Sequence, residues 1–336
     1  MRNSFYVNTL VSIAVLLALA VVALGAYTRL TNAGLGCPDW PGCYGHIVLP
    51  SSQPSLQLAQ KAYPDIPIES AKAWTEMIHR YLAGSLAILI FILGVNALRH
   101  KRLQKDTLPW GIPCVLMALV IFQALLGMWT VTLKLLPVVV MTHLLGGILI
   151  FSLLSKYRIQ LSTLPSITDR GMQRWLRLGV VILFCQIALG GWVSANYAGI
   201  SCIGFPQCNG SWWPPLHLGN GFNLFTPVGA NYQGGLMEHE LRATIQFIHR
   251  LGALITASYL VFLSVLLLRQ KRQRSLQTAG GILLILLTAQ VVLGIINVLY
   301  FLPLPVAVGH NAVAAILMAM LLSLLVLVSG RSQNAA

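Results

Sequence analysis

The apolar residues of this chain gather into long, nearly uninterrupted runs, and the polar residues lie between them. Each run holds about 20 residues, the length that a helix needs to cross roughly 30 Å of hydrocarbon. Neither the alternating pattern of half-buried strands nor the narrow apolar stripe of surface helices predominates. The pattern predicts eight transmembrane helices, over 7–27, 74–98, 108–131, 137–157, 175–197, 241–268, 277–300 and 304–329.

Composition excludes a soluble protein. The 336 residues are 57% hydrophobic and only 9% charged, whereas soluble domains carry about 25% charged residues. The first apolar run lacks a convincing small-residue cleavage site, and no Arg-rich, Ser-rich transit peptide precedes it. We therefore predict an all-α integral membrane protein with several spans, located in a bacterial inner membrane.

The formal net charge of +14 indicates how the chain is oriented in the membrane and not that it binds an anionic partner such as nucleic acid. Short basic blocks sit between pairs of predicted spans, as the positive-inside rule expects of cytoplasmic loops. This distribution predicts that both termini are cytoplasmic. The blocks are Arg99, Lys101, Arg102 and Lys105; Lys156, Arg158, Arg170, Arg174 and Arg177; and Arg269, Lys271, Arg272 and Arg274.

An internal repeat divides the chain. GAYTRLTNAGLGC (25–37) aligns with GGWVSANYAGISC (190–202), and MIHRYLAG (77–84) aligns with FIHRLGA (247–253). Repeats of the same orientation are related by an axis along the membrane normal. We predict two pseudo-symmetric four-helix bundles related in this way, the halves being residues 1–160 and 161–336.

Four histidines occupy equivalent positions in the two repeats, His79 with His249 and His143 with His310. Each lies near the outer end of its span, and each half supplies two. Facing imidazoles inside a four-helix bundle suit the axial ligation of a haem iron. A hydrogen-bonded core histidine, a proton relay and a zinc site are the alternatives, although zinc usually takes more ligands. We expect the remaining histidines to be solvated: His46, His100, His217 and His239.

An arginine follows the second-helix histidine in both halves. Arg80 and Arg250 could each pair with a haem propionate through a charge-assisted hydrogen bond. An interfacial arginine that extends to lipid headgroups is the alternative.

Four of the six cysteines form two pairs in the predicted outer loops, Cys37 with Cys43 and Cys202 with Cys208. The outer side of a bacterial membrane is oxidising, and Pro and Gly within each pair favour a tight disulfide loop. A redox-active pair, which needs accessible thiols of low pKa, and free thiols stay open. Cys114 and Cys185 lie within spans and are predicted to be inert core residues.

One acidic residue breaks the repeat. Glu76 lies three residues before His79, on the same helix face, and its equivalent in the second half is Gln246. An ionisable group at that depth is expensive and usually functional. Glu76 is predicted to act as an acid, a base or a cation-stabilising group beside one haem. A carboxylate that is merely hydrogen-bonded at a helix end is the alternative.

The motifs TRLTNAGLGCPDWPGC, WTEMIHRYLAG, MTHLLGG and FIHRLGA, together with His310, resemble those of the haem A synthase family over essentially the whole chain. The resemblance implies an eight-helix oxidoreductase acting on a CH3 group. It would oxidise the C8 methyl of haem O to the formyl group of haem A, through hydroxylated intermediates, for cytochrome oxidase assembly.

The resemblance also implies roles for particular residues. His79 and His143 would hold the substrate haem, while His249 and His310 would hold a permanent haem b. Glu76 matches the essential acid of the family. The Cys37–Cys43 pair assigns the cysteine-containing subtype and is linked to activity or haem handling. Besides membrane lipid, expected partners are haem O synthase, oxidase assembly factors and a second copy of the chain.

Two other functions fit a haem-binding membrane repeat. A non-catalytic di-haem cytochrome b would move electrons, but it would have little need for a single extra buried acid. A haem or small-molecule transporter would be expected to show broken helices and polar sites near the midplane, and the sequence indicates neither.

Overall fold

The computed structural model describes residues 2–64, 66–103, 109–270 and 273–330, and the regular structure of this part of the chain is helical. Within these ranges, eight helices are long and apolar enough to cross a membrane. The predicted all-α architecture with eight spans is therefore confirmed. The long helices are α1 (Arg2–Leu30), α3 (Ser70–Arg102), α4 (Gly111–Thr132), α5 (Pro137–Gln160), α6 (Arg170–Ala195), α8 (His239–Leu268), α9 (Arg274–Leu299) and α10 (Leu304–Val328).

Most helices extend past the predicted spans because hydropathy marks only the hydrocarbon, whereas backbone hydrogen bonds continue into the headgroup region. Helix α3 begins four residues before position 74 and ends four residues after position 98. Many basic residues predicted to lie in loops therefore lie on terminal turns, including Arg99 on α3 and Arg158 on α5. Lys105, Leu108, Lys271 and Arg272 fall outside the described residues.

The two halves use the same set of helix contacts. In the first half α1 packs against α3 and α5, and α4 packs against both α3 and α5. In the second half α6 packs against α8 and α10, and α9 packs against both α8 and α10. Each half is thus a four-helix bundle. The predicted symmetry axis stays a prediction.

Helices α5 and α10 join the halves. They pack against each other, α10 also contacts α1, and α5 also contacts α6. One cluster of buried side chains runs through both bundles, from Val11 and Leu154 to Leu263 and Leu321. In lipid such contacts are held by close packing rather than by exclusion of water, so the halves share one core.

The two long connections between spans, α1 to α3 and α6 to α8, contain structure that hydropathy did not predict. The first carries the amphipathic helix α2 (Gln53–Ala62), and the second carries the single-turn helix α7 (Leu218–Gly221). In the first loop, burial together with the charges of Glu69, Glu76 and Asp39 raises the pKa of the Tyr44 phenol. The protonated hydroxyl donates a hydrogen bond to the Pro67 carbonyl, at 3.2 Å.

Candidate functional site

The histidines of each half come from helices that are not adjacent. Among the described residues, the backbone of α3 does not come close to that of α5, and the backbone of α8 does not come close to that of α10. They lie diagonally across their bundles, separated by the helices that contact both. Each imidazole packs against a helix that contacts both: His79 against α1, His143 against α4, His249 against α6 and His310 against α9. The structure therefore brings the predicted histidines together as two pairs, one in each bundle.

A glycine on a neighbouring helix packs against each of the four imidazoles. A Cβ atom built on any of these glycines would lie closer to the Cε1 atom of the histidine ring than an ordinary van der Waals contact. The ring would have to move by a few tenths of an ångström to accept it. The pairs are Gly25 with His79 at 3.0 Å, Gly127 with His143 at 3.3 Å, Gly190 with His249 at 3.1 Å and Gly294 with His310 at 3.1 Å.

The sequence reasoning missed these glycines, although a signal was present. Gly25 and Gly190 are equivalent in the repeat alignment, and Gly127 and Gly294 are separated by the same interval as His143 and His310. Four glycines at matched positions beside four matched histidines indicate a ring-positioning role.

Glutamines contact three of the histidines. Gln123 donates a hydrogen bond from Nε2 to the His143 carbonyl at 2.6 Å. The Nε2 atom of Gln290 lies 3.2 Å from the ring nitrogen Nε2 of His310. On α6, the Nε2 atom of Gln186 lies 3.0 Å from Nδ1 of His249. The spacing of Gln123 and Gln290 from their histidines, twenty residues in both halves, is visible in the sequence.

The donor set fits a haem in each half. Two imidazoles facing each other across a bundle are a usual axial pair for haem iron. The Nδ1 atoms of His79, His143 and His310 are buried without a hydrogen-bond partner among the described residues. Such atoms are uncommon in folded proteins, and here they belong to three of the four predicted ligands.

Glu76 lies at the junction of α3 and the first disulfide loop. Its side chain is buried, with 5% of the residue exposed. Oε2 accepts a hydrogen bond from the Cys37 amide at 2.9 Å, and Oε1 forms an ion pair with Arg80. The equivalent Gln246 donates instead to the Gly199 carbonyl, at 3.3 Å. The carboxylate thus links the histidine-bearing helix to the loop.

Arg80 and Arg250 hold the two disulfide loops. Arg80 donates from Nη1 to the carbonyls of Asp39, at 2.9 Å, and Pro41, at 3.2 Å, and also to that of Gly42. Its Nη2 atom is occupied by Glu76.

In the second half, Arg250 donates from Nη1 to Gly204 at 2.8 Å and to Gln207 at 3.1 Å, and from Nη2 to Cys202. Both arginines therefore use Nη1 and Nη2 within the protein. A contact to a haem propionate stays a prediction.

Both cysteine pairs are bonded as disulfides, Cys37 with Cys43 and Cys202 with Cys208. All four residues are buried. The core prediction was wrong for Cys185, which is exposed on α6 because its side chain points away from the neighbouring helices, and Cys114 is only partly buried. Of the histidines expected to be solvated, His46, His217 and His239 are exposed, whereas His100 is half-buried with Nδ1 2.9 Å from the Asn96 carbonyl.

Comparison with known proteins assigns this chain to a family. The model of the family described as cytochrome oxidase assembly protein (COX15-CtaA) matches residues 8–322. The chain belongs to this family. It is 43% identical over 321 residues to the haem A synthase of Shewanella oneidensis, with 94% of each chain covered.

More distant relatives carry the same name. The haem A synthase of Neorickettsia sennetsu is 27% identical, with 96% of this chain and 99% of the relative covered. That of Allorhizobium ampelinum is 28% identical, with 94% and 89% covered. The family resemblance read from the motifs is confirmed.

Proposed function

We propose that this chain is a haem A synthase, a bacterial membrane enzyme that oxidises the C8 methyl of haem O to the formyl group of haem A. The observation that carries the proposal is the 43% identity to a haem A synthase across 94% of the chain. The paired histidines, each packed against a glycine, are the haem-binding machinery that this activity requires.

The two halves bind different haems in this proposal. Residues 1–160 hold the substrate haem through His79 and His143, and residues 161–336 hold a haem b through His249 and His310. A haem b held by these residues would supply a one-electron carrier. The absence of an acidic equivalent of Glu76 in the second half supports this division, since electron transfer alone needs no such group.

Glu76 is the proposed catalytic carboxylate. Removing a hydride equivalent from the methyl leaves an electron-poor carbon, which a buried carboxylate stabilises and helps to hydrate. In the first oxidation an electron acceptor outside the chain takes two electrons, and water adds to the carbon with release of two protons, which converts C–H to C–OH. A second oxidation of the same kind gives a geminal diol, which loses water to form the formyl group. Arg80 and the Cys37 amide hold the carboxylate in place.

In this proposal both termini are cytoplasmic and both disulfide loops face the oxidising outer compartment. Haem O reaches the first half from within the membrane, handed over by haem O synthase. Assembly factors of the oxidase receive the product. Association of two copies of the chain stays a prediction.

The proposal is tested in cells that make haem O but lack this activity. Expression of the chain should yield haem A or its hydroxylated intermediate on chromatography of extracted pigments. His79→Ala is the matched control and should abolish the product while leaving the protein in the membrane. A purified protein with a low-spin haem spectrum and no haem A product would instead favour a non-catalytic di-haem cytochrome b.

A further inference from the structure

The two halves differ at a contact to the second-helix histidine. On α6, Gln186 places its carboxamide 3.0 Å from Nδ1 of His249 and donates to the carbonyl of the same residue at 3.0 Å. The segments VVALG (21–25) and QIALG (186–190) align without a gap and end at the two equivalent glycines. The position of Gln186 is therefore occupied by Val21 in the first half, and Nδ1 of His79 has no hydrogen-bond partner among the described residues.

A second position changes with the first. A Cβ atom on Gly252 would lie 2.3 Å from Oε1 of Gln186, so the carboxamide occupies the space that a side chain there would fill. Alignment of FIHRLGA with MIHRYLAG places Leu82 at the equivalent position of the first half. The second half thus combines a glutamine with the glycine that makes room for it, and the first half replaces both with aliphatic residues.

The carboxamide supplies what an iron-bound histidine needs. When Nε2 of an imidazole binds a metal, Nδ1 carries a proton. A hydrogen-bond acceptor normally holds this proton, which fixes the ring and makes it a stronger ligand. Oε1 of Gln186 is buried and has no partner among the described residues. Rotation of the amide by half a turn about its last bond presents this oxygen to the Nδ1 proton of His249 and gives up the hydrogen bond from Nε2 to the His249 carbonyl.

We propose that Gln186 is a positioning residue for His249 and makes the second-half haem a resident cofactor. Gly252 leaves the space that the carboxamide of Gln186 occupies. The lack of this pair in the first half leaves His79 a weaker ligand, so that the substrate haem can enter and leave. This inference rests on the proposed function, in which His249 binds haem b and His79 binds substrate.

The experiment measures haem loss from the purified holoprotein to excess apomyoglobin, together with the reduction potential of the low-spin haem. Loss of an outer partner typically weakens a metal site 10–100-fold, so Q186V should release haem b about 10–100-fold faster and raise its potential. G252A should do the same, because the added methyl displaces the carboxamide. C185V, one residue away and exposed, is the matched control and should match the wild-type protein.

A stronger acceptor provides the opposite test. Q186E keeps an oxygen for the Nδ1 proton, so it should retain haem b as well as the wild type and lower its potential. Opposite shifts in Q186V and Q186E are not expected from packing alone. Equal release rates and potentials in Q186V, Q186E and the wild type would overturn the proposal.

Failure of the underlying function would look different. If the low-spin haem signal survives His249→Ala, the ligand assignment itself is wrong. If that variant loses the signal but Q186V behaves as the wild type, the ligand assignment stands and only the role of Gln186 is refuted. The mirror variant V21Q/L82G, which transplants the pair into the first half, should slow release of haem from that half, and unchanged release would count against the proposal.

Discussion

At the scale of single residues, the contacts of Glu76 fit both of the roles that the sequence presented as alternatives. Its carboxylate accepts the Cys37 amide and pairs with Arg80, which is a structural arrangement. The same contacts keep a charged group buried beside His79, three residues away on one helix face. A loop anchor and a catalytic carboxylate are compatible here, because the anchoring partners offset the free-energy cost of burying the charge.

The substitution Glu76→Gln separates these roles. Glutamine keeps the size and one acceptor oxygen, so the Cys37 contact and haem binding should persist while the negative charge is lost. We expect a normal low-spin haem spectrum and a loss of haem A production of at least about 100-fold, the scale of acid–base contributions. Pigment chromatography measures the product, and normal haem A yield would remove Glu76 from the mechanism.

The glycines beside the histidines give a second residue-scale prediction. Gly190→Ala adds a Cβ atom 3.1 Å from Cε1 of His249 and should push the ring out of line, reducing the haem b absorbance of the purified protein. Alanine is intrinsically better than glycine in a helix by about 0.5–1 kcal/mol, so helix destabilisation would not explain the loss. Gly281→Ala, with open space around it, is the control and should retain full absorbance.

At the scale of elements, each disulfide loop is fastened to the helix that carries a histidine. The loops are closed by a six-residue cysteine spacing and tied to α3 or α8 by an arginine that binds loop carbonyls. Hydrogen bonds to charged donors are worth about 1.5–3 kcal/mol. The arginines therefore fix the loops relative to the histidines one residue before them.

Removing the disulfides tests this element. Both C37S/C43S and C202S/C208S should lower the free energy of unfolding by about 2 kcal/mol, the entropic value for so short a loop. Haem A production should fall further in C37S/C43S, because the Cys37 amide holds Glu76. Thermal unfolding and pigment analysis of both variants give the comparison. Equal losses of product would detach the first loop from catalysis.

At the scale of the whole molecule, Arg29 joins the two halves. It donates from Nη2 to the carbonyls of Ser194, at 2.6 Å, and Ala195, at 3.2 Å, at the end of α6. Its guanidinium also lies 3.8 Å from the centre of the Tyr197 ring. Ser194 is the repeat equivalent of Arg29 itself, so the contact lies where corresponding parts of the two bundles meet.

Arg29→Met should therefore weaken the association of the halves without touching either histidine pair. Loss of the charge-assisted bonds should lower the free energy of unfolding by about 1.5–3 kcal/mol while the haem spectrum of the folded protein is kept. Thermal unfolding in detergent measures the change. Arg174→Met, at an exposed position, is the control, and an equal effect there would argue against a specific link.

The sequence by itself determined the eight spans, the repeat and the residue types of the site. Crossing hydrocarbon requires about 20 apolar residues and a backbone that satisfies its own hydrogen bonds, so spans are legible from composition alone. The repeat then matched His79 with His249 and His143 with His310, and it isolated Glu76 as the residue without an acidic equivalent. Each of these inferences needed only positions along the chain.

Only the tertiary structure decided which groups meet. Hydropathy is nearly uniform around a membrane helix, so it does not tell which face turns inward, and Cys185 was wrongly placed in the core for that reason. The loop-binding arginines, the glycines under the imidazoles and the Gln186–Gly252 pair all depend on helix neighbours and rotation. These are properties of packing, and they are where the two similar halves become different sites.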